Sequence, residues 1–291
     1  MLRIRSAALA CLASAACTPT VRADEVTIPA SHDVTLFENM SGDVANGSGD
    51  YFFTGRNAVG SNYRSILRFD IAGAVPAGAT IESVSLRLFL SRTSSGTFPA
   101  TLHRALRDWG EGASDAGGNE GSGFPAQAND ATWLYTFFNP SGPSPEWTNQ
   151  GGDFEPAASA STNTSGSGLF YTWTSAQMAL DAQAWLDDPA ANFGWFLRGN
   201  ETTLSRSSKR FHSRSNIETA RRPSLTIVYS AKAPCPADIA APFGVLDLAD
   251  VQAFIAGFIS ADPIADLAPP EGVFDLADVQ AFIASFNAGC P

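Results

Sequence analysis

Histidine is nearly missing from this chain: His32, His103 and His212 are the only three in 291 residues. Three scattered imidazoles form no clustered metal centre. No metalloprotease helix, nucleophile elbow or phosphate-cradling glycine loop accompanies them. Basic residues are few, 18 against 29 acids, for a net charge of −11. That balance argues against nucleic acid as a partner, because phosphate contacts need cations. Beyond the N-terminus no apolar run approaches the roughly 18 residues that span a bilayer, so no transmembrane segment is expected in the mature chain. Cysteine is limited to Cys11, Cys17, Cys235 and Cys290.

What is present at the start is a leader. Arg3 and Arg5 precede the apolar stretch from Ala7 to Ala16, and Val21-Arg22-Ala23 precedes Asp24 as a cleavage pattern. This reads as a secretory signal peptide over residues 1–23 and places the protein outside the cell or on its surface. The alternative is a lipoprotein attached at Cys17, since Ser14-Ala15-Ala16-Cys17 approximates a lipobox. Cleavage leaves Cys235 and Cys290 bracketing the C-terminal tail, where residues 235–291 carry eight acids and no base. In an oxidising compartment the two read as one disulfide, which stabilises a loop of this size by about 4 kcal/mol in the chain-entropy model. The other reading is two unrelated buried thiols.

Residues 24–230 alternate as strands do. Leu67, Phe69 and Ile71 take one face against Arg68 and Asp70, and Val84, Leu86, Leu88 and Leu90 take one face against Ser83, Ser85 and Arg87. Leu225 to Tyr229 is the last strand. One helix begins near Thr174 or Ser175, sets Met178, Ala182, Trp185 and Leu186 on one side, and ends at Pro189. Residues 110–130 and 139–168 are rich in Gly, Ser, Pro and Asn and read as long loops.

Several short segments carry a resemblance along this domain: Asp33-Val34-Thr35-Leu36, Leu67-Arg68-Phe69-Asp70-Ile71, Pro76-Ala77-Gly78-Ala79-Thr80-Ile81, Leu86-Arg87-Leu88, Asn192-Phe193-Gly194-Trp195, Arg210-Phe211-His212-Ser213-Arg214 and Arg222-Pro223-Ser224-Leu225-Thr226. In order and spacing they resemble the DNRLRE family of secreted β-sandwich domains, from which the chain departs at Ser215, where that family often has Glu. The resemblance implies a mainly β, jelly-roll-like antiparallel sandwich similar to carbohydrate-binding modules, some of which bind uronic-acid polymers.

After a linker at residues 231–234, the tail repeats itself. Residues 238–263 laid over 266–291, an offset of 28, match at 17 of 26 positions, which marks a true duplication. Each copy puts an apolar stripe on a helix, Val251, Phe254, Ile255 and Phe258, then Val279, Phe282, Ile283 and Phe286. With its two cysteines and Gly289-Cys290, this all-helical module resembles a GC-type dockerin with reduced EF-hand loops. The resemblance implies a cohesin-like or cell-surface protein partner, and calcium on Asp238, Asp247, Asp250, Asp266, Glu271, Asp275 and Asp278. Ala240 and Pro242, with Ala268 and Pro270, replace ligands a full calcium loop requires. Helix capping by Asp247, Asp250, Asp275 and Asp278 is the competing role.

Ligand recognition then falls to the sandwich. Arg210, His212 and Arg214 alternate with Lys209, Phe211 and Ser213, so a strand here would present one row to grip carboxylates of a polysaccharide; its alternative is a solvated face. Trp109, Trp133, Tyr135, Trp147 and Phe154 sit in or beside the long loops, where a ring either covers a sugar face or packs beneath its loop. Asp108, Glu111 and Asp115 are the best acidic group for glycoside chemistry, a role that requires a set separation. The expectation is a non-catalytic polysaccharide binder with a docking tail, its alternatives a structural or adhesive surface protein and a polysaccharide lyase or hydrolase. Peptide mapping of the secreted chain without reductant is expected to recover a Cys235–Cys290 cross-link; two free thiols would contradict the disulfide.

Overall fold

A computed structural model describes residues 23–202, 206–231 and 235–289. Nearly all of the expected leader, linker residues 232–234 and Cys290 lie outside the described residues. The strands are β1 (Ala23–Phe37), β2 (Val44–Asn46), β3 (Tyr51–Arg56), β4 (Asn62–Phe69), β5 (Thr80–Thr93), β6 (Phe98–Arg104), β7 (Phe124–Pro125), β8 (Ala160–Thr164), β9 (Leu169–Thr174), β10 (Trp195–Arg198), β11 (Lys209–His212) and β12 (Ser224–Ser230). The helices are α1 (Ala176–Asp187), α2 (Leu248–Ser260) and α3 (Leu276–Ala288). The described chain is therefore mainly β, and its strand pairings are antiparallel.

Two strands belong to both of two hydrogen-bonded sheets. Residues 23–29 of β1 pair with β12, which pairs with β5; β5 also carries β9 and β11, and β11 carries β3. After a register shift between Ala30 and His32, β1 continues into the second sheet, ordered β7-β2-β1-β4-β10-β6-β8. The last residues of β3, Gly55 and Arg56, pair with β4 in that sheet.

The period of two along each strand decides where side chains go. Leu67 and Phe69 of β4, Leu86, Leu88 and Leu90 of β5, Trp195 and Leu197 of β10, Phe211, Leu225 and Ile227 share one buried cluster. Helix α1 adds Met178, Ala182, Trp185 and Leu186 to it. Ile66 and Phe196, one step along β4 and β10, point the other way and cluster with Val34, Leu36, Trp109, Trp133 and Trp147. The second sheet is thus covered on both faces, and residues between β6 and β8 form the outer cover. Both long segments read as loops contain a short edge strand, β7 in the first and β8 in the second.

Polar groups inside this core are paired. Helix α1 starts where Ser175 Oγ accepts from the Met178 N–H, as an N-cap does. Asp181, buried on α1, accepts from Ser159 Oγ and, at 2.8 Å, from Trp195 Nε1 through Oδ2, and from Gln177 Nε2 at 3.0 Å through Oδ1. Lys209 points inward beside Phe211, and its Nζ donates to the Gly96 and Ser165 carbonyls at 2.8 and 3.2 Å.

In the tail, Phe254 and Phe282 stack at 4.2 Å between centroids, within a cluster containing Ala237, Ala265, Val251, Phe258, Val279 and Phe286. Ile255 and Ile283 are half exposed, so the buried stripe is narrower than the sequence periodicity suggests. Both helices open on full capping boxes, Asp247 with Asp250 and Asp275 with Asp278. Cys235 is disulfide-bonded. Replacing Asp181 by Ala orphans three donors, two of them in the core, and is expected to destabilise the chain by about 3 kcal/mol, read as a lower urea midpoint; an unchanged midpoint would contradict the role given to this carboxylate.

Candidate functional site

The predicted row on β11 divides. His212 is buried, its ring wedged edge-on between Tyr51 at 5.4 Å and Phe89 at 4.9 Å. Burial lowers its pKa, which keeps the ring neutral at pH 7. Arg214 lies beyond the strand, and its guanidinium donates through Nε and Nη2 to both oxygens of Glu111. Arg210 opens onto a cleft.

The loop aromatics are mostly consumed by packing. Trp109, Trp133 and Trp147 are buried in the cluster on the outer side of the second sheet. The indole N–H groups of Trp109 and Trp147 donate to the Phe193 and Thr132 carbonyls at 2.8 and 2.9 Å. Tyr135 is half-buried, with Phe138 at 6.0 Å. Phe154 lies under Arg198 and Arg64, at 4.7 and 5.3 Å. Both arginines pair with Glu201, which they hold at about 2 against the upward push of burial.

The acids do not converge either. Asp108 pairs with Arg68 at 2.5 Å, Glu111 with Arg214, and Asp115 faces solvent. Around Glu111 two carboxylates meet Arg214, Glu111 at its guanidinium and Asp33 at its backbone. The Asp33 backbone N–H donates to Glu111 at 2.8 Å, and the Arg214 N–H donates to Asp33 Oδ2 at 2.6 Å. Burial pushes Asp33 up to about 8, with the neighbouring Glu111 charge adding to the rise and the Arg214 contacts opposing it. Asp33 is therefore neutral at pH 7, and the ion pair belongs to Glu111 and Arg214.

What the fold brings together instead is a cleft of about 370 Å³ lined by Arg92, Arg206, Arg210, Asn119, Thr93, Ser94, Ser208, Gly121, Phe53 and Tyr63. Arg210 lies directly between Phe53 on β3 and Arg92 on β5 in the strand register. Like charges set opposite one another across a sheet are destabilising. No Asp or Glu lines the cleft and none of the three arginines has an ion-pair partner among the described residues, the buried Glu120 acting on Arg210 only at a distance.

Arg210 is held in place rather than neutralised. Its guanidinium lies 3.7 Å above the Tyr51 ring, its Nε donates to Ser91 Oγ at 3.0 Å, and Asn119 Oδ1 accepts from Arg92 at 2.6 Å and from Arg210 at 3.5 Å. Asn119 owes its position to the next residue. Glu120 adopts φ 59° and its buried carboxylate accepts from the Asp50 and Tyr51 N–H groups and from Asn46 Nδ2, at 3.0, 2.9 and 2.8 Å. Stacking and fixed hydrogen bonds pre-orient a guanidinium fork for an anion. Arg206 belongs to a run of seven basic residues in the sequence, Arg198, Arg206, Lys209, Arg210, Arg214, Arg221 and Arg222. Arg92 and Asn119 do not, because only the pairing of β5 with β11 and the folded loop bring them there.

The tail carboxylates are largely occupied by the backbone. Asp250 Oδ1 accepts from the Ile239 and Ala240 N–H groups, both at 2.9 Å, and Asp278 Oδ1 does the same for Leu267 and Ala268 at 2.8 and 2.9 Å. Asp247 and Asp275 accept from the first-turn amides of Ala249 and Ala277, at 2.6 and 2.7 Å. Asp238 and Asp266 each accept a Gly N–H at 2.6 Å through Oδ2 and keep a buried Oδ1 without a partner. Glu271 is exposed. No three such side chains converge as a metal group among the described residues.

No family model matches the chain, and no curated protein matches it significantly. No helix among the described residues is long and apolar enough to cross a membrane.

The neutral Asp33 makes stability depend on pH. Its folded pKa of about 8 lies above the ordinary 3.8, so the folded chain binds the extra proton between those values. The stability this contributes is complete below the lower value and is lost as pH rises through the upper one. Replacing Asp33 by Asn is expected to flatten the fall in urea midpoint between pH 5 and 8; an unchanged slope would contradict a protonated Asp33.

Proposed function

We propose that this is a secreted, non-catalytic binding protein whose β domain, read as a DNRLRE-like jelly-roll sandwich, holds an anionic polysaccharide of uronic-acid type in the Arg92–Arg206–Arg210 cleft. The observation that carries the reading is three arginines lining one cleft with no carboxylate among them. A sugar carboxylate accepts bidentate hydrogen bonds from such a fork, and the buried Phe53 and Tyr63 form the packed base beneath it. The acids weighed for hydrolysis or lyase chemistry are engaged or apart, with Asp108 and Glu111 in ion pairs, which favours binding over cleavage.

The tail completes the reading as a dockerin-like module that attaches the sandwich to a protein at the cell surface. Leu248 and Leu276, and Ile255 and Ile283, are exposed at matching places in the two copies, an apolar surface suited to a protein partner. An adhesive protein without glycan binding is the alternative, and it too would use this surface. Calcium, in this proposal, concerns Asp238 and Asp266 alone, whose Oδ1 atoms are unpartnered.

The test is affinity electrophoresis of the chain in alginate, polygalacturonate and neutral glucan. Retardation is expected in the first two and not in the third, and weakening with added salt. Replacing Arg210 by Ala removes a charge-assisted contact and is expected to lower affinity about tenfold or more. Equal retardation of wild type and the Arg210→Ala variant would overturn the assignment of the cleft.

A further inference from the structure

The cationic cleft does not end at Tyr63. A second cleft, of about 380 Å³, is lined by Phe37, Glu38, Asn39, Val44, Asn57, Val59, Ser61, Ser122 and again Tyr63 and Gly121. The two shared residues form the ridge between the clefts, where Tyr63 Oη donates to the Gly121 carbonyl at 2.6 Å. Behind both lies one buried aromatic cluster. Phe37 meets Tyr63 at 5.2 Å, Tyr63 meets Phe53 at 5.7 Å, and Phe37 meets Phe53 at 6.3 Å. Phe37 belongs to the second cleft, Phe53 to the first, and Tyr63 to both.

The linings differ in charge. The first cleft has three arginines and no acid; the second has Glu38 and no base. Glu38 is fixed at the junction of β1 and β4, where its Oε2 accepts the Asn62 N–H at 2.6 Å and its own N–H donates to the Asn62 carbonyl at 3.0 Å. Around it, Asn39, Asn57, Ser61 and Ser122 supply amide and hydroxyl groups, and Val44 and Val59 supply apolar surface. Such a lining suits an uncharged sugar ring and repels a second carboxylate.

We propose that the two clefts are consecutive subsites for a heteropolysaccharide in which an acidic unit is followed by an uncharged one, the acid on Arg92, Arg206 and Arg210 and the neutral unit beside Glu38. This rests on the polysaccharide reading above and sharpens it, since a homopolymer of uronic acid would place a carboxylate in each cleft.

The test compares two probes of equal length by calorimetry on the full chain at low salt: a hyaluronate hexasaccharide, in which glucuronate alternates with N-acetylglucosamine, and a hexagalacturonate. The alternating probe is expected to bind at least about fivefold tighter. Glu38→Gln keeps an oxygen for the Asn62 N–H and removes the charge, and is expected to narrow that ratio by improving hexagalacturonate binding. Arg210→Ala is expected to weaken both probes. Hexagalacturonate binding as tightly as hyaluronate, or a ratio unmoved by Glu38→Gln, would overturn the two-subsite assignment and leave the cationic cleft standing. Absence of binding by either probe would overturn both.

Discussion

The second sheet is apolar on both faces, and the rest of the β domain is arranged around that fact. On β4, Leu67 points into the inter-sheet core while Ile66 points away from it; on β10, Trp195 and Leu197 do the same against Phe196. Leaving Ile66 and Phe196 in water would expose a broad apolar surface. The segment between β6 and β8 covers it, and its tryptophans are the covering material. Gly112, at φ 67°, shows how closely this segment is drawn in, since an added Cβ would sit 1.8 Å from Asp130 Oδ1. A segment packed this way is a structural layer, and its three tryptophans offer no free ring faces.

The charged groups obey a similar economy. Most arginines near an acid use it: Arg64 and Arg198 on Glu201, Arg68 on Asp108, Arg107 on Asp153, Arg214 on Glu111 and Arg221 on Glu218. In an acidic chain, arginines with no such partner are conspicuous where they gather, and Arg92, Arg206 and Arg210 gather at one cleft. Local rules broken without compensation are found mainly at functional sites. The cross-strand Arg92–Arg210 pair is such a breach.

Much of the scaffold was legible in the sequence because burial writes itself in periodicity. The faces of β4 and β5, the cap at Ser175 and the duplicated capped helices all follow from local patterns. The cleft was only half legible. Arg206 and Arg210 stand in a visible basic cluster, but which member of that cluster remains without an acid depends on Glu111 reaching Arg214 across 103 positions. Likewise Arg92 and Asn119 arrive by strand pairing and a folded loop, neither of which has a local signature. The tryptophans Trp109, Trp133 and Trp147 were ambiguous for a related reason. An aromatic in a Gly-rich loop has the same sequence appearance whether it faces a sugar or the underside of its own loop.

In the proposed function Arg92, Arg206 and Arg210 are the ligand-binding set, while the other arginines are engaged within the fold. Arginine modification by phenylglyoxal, mapped by mass spectrometry with and without an acidic oligosaccharide, measures this directly. These three are expected to react without the sugar and to be protected by it, while Arg64 and Arg214 react slowly in both states. Protection elsewhere, with Arg92, Arg206 and Arg210 reacting equally in both states, would contradict this assignment.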